Sequence, residues 1–293
     1  MKRKSYGVIG WLLFSILVLY VLLLTYLYLW GFITSLKTFD GFMHNKIGIP
    51  SGWPWEWEWG NYSRALELFS IRRVIDGYIV EFTFTDMLFN SLLYSALGPL
   101  ITLSTTWVMA YITSTYNGRA SAVIYRMNIV LMSIPIVGNL ASSLQVYSAI
   151  GAYNNWGYVI ISSVTFIGTN YLIFHAVLRG VSKELREAAQ IDGANRMTVM
   201  LRIVFPLTIN MYGILYLMAF ISRWNDYMTM LLYMPDIPNL AFGIYSFSQN
   251  NEAGARYTTM QMAGCFIVVL PIFILFMIFR NKIIGKVTIG SFK

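Results

Sequence analysis

Six stretches of the chain are apolar enough and long enough to read as helices across a bilayer: 8–33, 87–113, 122–147, 156–178, 203–222 and 260–280. A helix needs roughly 20 such residues to cross the hydrocarbon core. None of the six alternates as a barrel strand would, and a backbone in hydrocarbon must satisfy its own hydrogen bonds, so helices are the expected solution. The first stretch follows Lys2, Arg3 and Lys4. It is longer than a signal-peptide core of about 7–15 residues and meets no small-residue cleavage site, so it is expected to remain as an uncleaved span. The pattern predicts an all-α membrane protein with about six transmembrane helices. An anchor span and extracytoplasmic loop occupy 1–80, and a helical core with a cytoplasmic loop at 182–203 occupies 81–293.

Composition agrees. The 293 residues are 57% hydrophobic and only 12% charged, against about 25% charged in soluble domains. The net charge of +8 could suggest nucleic acid, but the basic residues cluster in short segments beside the spans. That is the positive-inside arrangement, and nucleic acid is not an expected partner. Lys2, Arg3, Lys4, then Arg119 and Arg126, then Arg179, Lys183, Arg186, Arg196 and Arg202, then Arg280, Lys282, Lys286 and Lys293 would all face one compartment. Both termini are therefore expected to be cytoplasmic. Cys265 has no partner for an intrachain disulfide, and His44 and His175 are too few for a metal site.

The spans carry polar residues. Asn90, Ser91, Ser95, Pro99, Thr102, Ser104, Thr105 and Thr106 fall in or beside the second, and Asn128, Ser133, Pro135 and Gly138 in the third. Two readings stand: close helix–helix packing, or the lining of a polar pathway. Together they suggest a bundle that moves something.

The signatures of membrane enzymes are absent: no His-Glu-x-x-His, no Gly-x-Ser-x-Gly, and all 13 acidic residues outside the spans. Buried ionisable groups would be needed for proton coupling or voltage sensing. Gly285-Lys286 is followed by Val287 and does not make a phosphate-binding loop. Energy for uphill transport would have to come from another subunit.

The most informative stretch runs from Ser182 to Pro206 and reads as two short helices joined at a bend. Ser182 can cap the first, with Glu184 at its positive end. Leu185, Ala188 and Ala189 are expected to share a face. Asp192-Gly193 is a turn signal, and Asn195 can cap the helix leading into the fifth span. Two alanines beside Glu187 make a poor free surface but a good docking knob.

Glu187-Ala188-Ala189, three residues, Gly193, nine residues, then Ile203-Val-Phe-Pro206 resembles the signature of ABC-importer transmembrane subunits. Phe205 in place of leucine is its one departure. The resemblance runs along the chain and is closest to the smaller permease of maltose-type oligosaccharide importers. It is carried also by Asn61-Tyr62, Asn90-Ser91-Leu92, Ala110-Tyr111, Trp224-Asn225-Asp226-Tyr227 and Gly290-Ser291-Phe292-Lys293. It implies a type I ABC importer permease fold in a bacterial cytoplasmic (inner) membrane. The implied partners are a second homologous permease, an ATPase dimer that binds ATP and Mg, an extracytoplasmic solute-binding protein and a carbohydrate. No cofactor is expected in this chain. It further implies that Glu187, Ala188, Ala189, Gly193, Ile203 and Pro206 couple to the ATPase. Gly290, Ser291, Phe292 and Lys293 would reach the ATPase too, although this tail lacks the family's final glycine.

Trp53, Trp55, Trp57 and Trp59 would share one face if extended, with Glu56 and Glu58 opposite. They would suit either a membrane interface or sugar stacking. Gln249, Asn250, Asn251 and Glu252, with Trp224 and Asn225, are candidates for substrate or binding-protein contact by resemblance, or else a solvated turn. Asp226 is expected to pair with Arg223. Besides carbohydrate, another polar nutrient remains open as cargo. A secondary transporter would call for inverted repeats and buried charge, and neither is evident.

Overall fold

The computed structural model describes residues 8–116, 118–135, 138–249 and 256–284. In chain order the elements are α1 (Val8–Ser35), α2 (Phe39–His44), α3 (Gly60–Leu68), β1 (Ile71–Ile75), β2 (Tyr78–Phe82), α4 (Phe84–Thr115) and α5 (Arg119–Ser133). There follow α6 (Leu140–Ala149), α7 (Trp156–Ser163), α8 (Thr169–Arg179), α9 (Lys183–Ile191), α10 (Arg196–Thr198), α11 (Phe205–Trp224), α12 (Met228–Tyr233), α13 (Leu240–Gln249) and α14 (Thr258–Ile284). Among the described residues, four helices are long and apolar enough to cross a membrane unaided: Val8–Ser35, Phe84–Thr115, Arg196–Trp224 and Thr258–Leu275.

These four are the first, second, fifth and sixth expected spans. The third and fourth expected spans each fall on two helices with a break between them. Between α5 and α6, Pro135 holds Ile134 in an extended conformation (φ −89°, ψ 112°), and Gly138 turns at φ +78°. Between α7 and α8, Gly168 sits at φ +130°, a conformation side chains resist. A second departure from an all-α expectation is the antiparallel hairpin β1–β2, running from Ile71↔Phe82 to Ile75↔Tyr78. Its two-residue turn, Asp76 (φ 51°) and Gly77 (φ 83°), has the left-handed geometry that matches the twist of paired strands.

The chain divides into two compact units, Met1–Ser70 with Ile244–Phe273, and Ile71–Gly243 with Ile274–Lys293. In the first, Phe32 of α1 meets Phe266 of α14 edge-on at 5.6 Å. The buried amide of Asn61 donates to Ser35 O (2.8 Å) and Lys37 O (2.9 Å), closing the chain after α1. The tryptophan run is not extended. Pro54–Glu56 forms a 3-10 turn, the Glu56 carboxylate accepts from Trp53 N–H (2.9 Å), and Trp53 stacks on Trp55 at 5.1 Å. Proline fixes the turn and a carboxylate can cap it, so a single tryptophan face is lost.

In the second unit α4 is the central helix, packed against α8 and α11. Leu103, Trp107, Ala110 and Tyr111 of α4 form a core with Tyr171, Phe174 and Leu178 of α8, with Val199 and Val204, and with Leu215 of α11. Trp107 Nε1 donates to Thr208 Oγ1 (3.0 Å), so the one polar atom of that indole is satisfied where the ring is buried. Phe205, the departure from the family signature, meets Trp107 edge-on at 5.2 Å, a favoured aromatic arrangement.

Candidate functional site: the coupling loop and the helix it engages

Local chemistry builds the loop. Ser182 Oγ accepts from Glu184 N–H (3.2 Å), capping α9. At the other end Ala194 N–H donates to Ala189 O (2.9 Å) and Gly193 N–H to Gln190 O (3.1 Å). This six-to-one and five-to-two pair is a Schellman stop, which needs a left-handed residue. Gly193 supplies it at φ +86°. No atom lies within 4 Å of where its Cβ would be, so Gly193 is required for its backbone angle and not for room. Asn195 Oδ1 accepts from Thr198 N–H (2.8 Å) and starts α10.

The helix then winds as a π turn over Val199–Val204, Phe205 N–H reaching back to Met200 O. Pro206 sits in the first turn of α11. Proline has no N–H to return and its ring crowds the preceding turn; a wider turn just upstream relieves both. Such π turns often mark functional positions. Ile203 is half-buried and Pro206 exposed.

Of the expected coupling residues, Glu187 and Ala188 are exposed and Ala189 is half-buried, packed against the core of the second unit. The expected shared face of Leu185, Ala188 and Ala189 is therefore divided. The outward surface is Glu184, Glu187, Ala188 and Ile191, at spacings of three and four residues, with Ile191 at 87% exposed. Leu185, Met197 and Leu201 are exposed beside it.

Arg186, not singled out from sequence, is the inward counterpart. Only 9% exposed, it donates from Nη1 to Thr115 Oγ1 (2.9 Å) and from Nη2 to Val181 O (3.5 Å). Arg196 lies over the ring of Tyr116 at 5.6 Å. Both arginines converge on the C-terminal end of α4. The available signal was helical position: Arg186 stands three residues from Ala189 and on the side away from Ala188.

Further along α4, hydroxyls hold the break between α7 and α8. Thr102 Oγ1 donates to Ser163 O (2.9 Å), and the hydroxyls of Thr105 and Thr106 lie within reach of Thr165 O (3.0 and 3.2 Å), Thr106 Oγ1 being closer still to Thr102 O (2.6 Å). Gly168 N–H donates to Asn128 Oδ1 (3.3 Å), while the buried Asn128 Nδ2 has no partner among the described residues. Unwound backbone at membrane depth is tolerated when such groups satisfy it. These threonines thus serve packing of the broken helix.

At the opposite end of α4 two stretches of the family signature meet. Tyr94 OH donates to Asp226 Oδ2 (2.8 Å), Asn90 Nδ2 to Pro238 O (2.9 Å), and Leu240 N–H to Ser91 Oγ (2.7 Å). Arg223 does not reach Asp226 as expected. Its guanidinium lies over the Tyr94 ring at 4.9 Å and donates to Ser163 Oγ (2.9 Å), while Asp226 is taken up by Tyr94, Thr229 N–H (3.0 Å) and Thr229 Oγ1 (2.6 Å).

Trp224 is buried at 2% exposure and stacks on Phe220, whereas Asn225 and Gln249 are exposed. Asn250, Asn251 and Glu252, and the tail Gly290, Ser291, Phe292 and Lys293, lie outside the described residues. Among the described residues there is no group of three or more His, Cys, Asp or Glu placed to hold a metal ion.

Residues 103–288 match the family described as the binding-protein-dependent transport system inner membrane component. The chain is 23% identical over 209 residues to the sulfoquinovosyl glycerol transport system permease protein of Agrobacterium fabrum, spanning 70% of this chain and 72% of that one. It is 26% identical over 199 residues to the maltodextrin transport system permease protein of Bacillus subtilis, spanning 66% and 69%. The fold is shared with a chain of a bacterial ABC transporter involved in the import of the acidic polysaccharide alginate, at a TM-score of 0.74 and 20% identity, covering 96% of this chain and 98% of that one.

Proposed function

Because this chain belongs to the family of binding-protein-dependent transport system inner membrane components, we propose that it is the permease subunit through which an ATP-driven importer takes up a carbohydrate. It forms half of the pathway beside a second, similar permease. An ATPase dimer holding ATP and Mg grips α9 from the cytoplasm, where both termini also lie, and an extracytoplasmic binding protein delivers the sugar. The relatives named for maltodextrin and for sulfoquinovosyl glycerol transport support an oligosaccharide or glycoside as cargo. Asn225 and Gln249–Glu252 are the residues assigned to contact with sugar or binding protein, and residues 290–293 to contact with the ATPase.

The observation that carries this reading is the outward surface of α9, closed off by the Schellman stop at Gly193. Moving a two-state equilibrium from 1:99 to 99:1 takes about 5.5 kcal/mol of differential binding. An exposed ion pair through Glu187 contributes only about 0–1 kcal/mol. Burying a side chain such as Ile191 contributes about 1.5–3 kcal/mol, and Leu185 and Met197, each roughly half exposed already, add smaller amounts. Apolar docking therefore supplies most of the drive.

The test is purification and reconstitution. The chain is expected to co-purify with an ATPase and a second permease, and the vesicle-embedded assembly to take up maltodextrin or another labelled glycoside only with ATP and binding protein. A chain that purifies alone and transports without nucleotide overturns the proposal.

A further inference from the structure

We propose that Arg186 is a positioning residue that makes α4 move with the coupling helix. The inference rests on the proposed function, since without an ATPase gripping α9 there is no movement to pass on. Arg186 is carried by α9 yet buried in the second unit, and its Nη1 ends on Thr115 Oγ1, the last residue of α4. Among the described residues no carboxylate is paired with it; the ion pairs there are Arg64–Glu58 and Arg72–Glu81. Its charge instead faces the end of a helix, where unpaired carbonyls carry partial negative charge. A buried, charge-assisted hydrogen bond is directional and costly to break. Arg196, over the Tyr116 ring, adds a second hold on the same end, looser because it is exposed.

What α4 carries makes this link consequential. The helix has 32 residues, about 48 Å at 1.5 Å per residue. Along it lie the threonines that hold Ser163 O and Thr165 O, then Gly98 and Tyr94 at Arg223 and Asp226, then Ser91 and Asn90 at Leu240 and Pro238. α9 is tied to α8 and α11 by the chain itself; to α4 it is joined, among the described residues, by the buried Arg186 side chain.

The assembled complex in lipid vesicles provides the test. With Cys265→Ser as background, Phe89→Cys, at a position 60% exposed near the far end of α4, is labelled with a maleimide before and after trapping with Mg-ATP and vanadate. ATP hydrolysis is measured on the same vesicles. The unsubstituted coupling loop is expected to change the labelling rate on trapping. Arg186→Ala is expected to hydrolyse ATP while that change shrinks about tenfold, the order set by losing a hydrogen bond to a charged group. Arg186→Lys, keeping the charge without the fork, should fall between. A merely structural role would lower the number of complexes and leave the labelling change per hydrolysing complex unaltered. Full wild-type change in Arg186→Ala overturns the inference. Should Arg186→Ala fail to assemble, Thr115→Val decides: a several-fold loss of the change supports the inference and a full change overturns it. If the unsubstituted chain recruits no ATPase, the proposed function fails and this inference fails with it.

Discussion

Arg223 lies across Gly98: a methyl group on Gly98 would stand 2.5 Å from Arg223 Nη1. The guanidinium occupies the space that the missing side chain leaves, and from there it covers Tyr94 and reaches Ser163. Gly98 is therefore part of the arginine's seat. Gly98→Ala is expected to displace the guanidinium and cost about 1.5–3 kcal/mol, the range for a hydrogen bond to a charged group. The check is a double-mutant cycle by thermal unfolding in detergent. In an Arg223→Gln background Gly98→Ala should cost much less, and equal cost in both backgrounds contradicts the account.

At the coupling loop, Gly193→Leu should reduce ATP-driven uptake more than Glu187→Gln. The cause is the left-handed backbone at Gly193, worth about 1–2 kcal/mol against a residue with a Cβ, and not a filled bend, because the space beside it is open. Gly193→Ala should therefore be nearly as harmful as Gly193→Leu, and Gly193→Asn milder, since asparagine tolerates that conformation. Uptake by the four variants in vesicles gives the ranking directly.

Thr105 and Thr106 each hold a hydroxyl within reach of the Thr165 carbonyl, at 3.0 and 3.2 Å. Either valine substitution alone leaves that carbonyl a partner, so each should cost about 0.6 kcal/mol, the average for hydrogen bonds between membrane helices. The double substitution leaves the carbonyl bare and should cost more than the sum. Hydrogen exchange at Phe166–Gly168 and thermal stability should both show the excess.

Lys37 offers a pH test in the other unit. It is 2% exposed, with Nζ donating to Asn45 O (2.7 Å), and burial lowers its pKa below the ordinary lysine value. The folded chain thus releases this proton before the unfolded chain does. Its contribution is least favourable at neutral pH and improves as pH rises through the lowered pKa toward about 10.5. Lys37→Met is expected to remove that rise, as read from unfolding midpoints across alkaline pH in detergent.

How much of this was legible in sequence depends on range. Ser182, Gly193 and Asn195 act within a few residues, and each caps or stops its helix as its residue type suggests. The facing of Ala189 was not legible, because a nine-residue helix offers several faces until its neighbours are known. The interruptions marked by Ile134–Pro135 and Gly138 and by residues 164–168 carry Pro135, Gly138 and Gly168, yet the flanking residues are as apolar as an unbroken span, so hydropathy alone joins them. The hairpin had a local signal, Asp76-Gly77 between β-rich runs, which a search tuned to long apolar segments passes over. The Tyr94–Asp226 bond joins residues 132 positions apart; only the folded chain shows that Tyr94, and not Arg223, meets that carboxylate.

If an ATPase grips the outward surface of α9, site-directed cross-linking should capture it there. In the assembled complex with Cys265→Ser as background, a short bifunctional reagent on Ile191→Cys or Ala188→Cys should capture the ATPase, with a yield that changes between nucleotide-free and vanadate-trapped states. Ala189→Cys, turned inward, should capture it poorly. Equal and nucleotide-independent yields at all three positions, or none at any, would contradict the account.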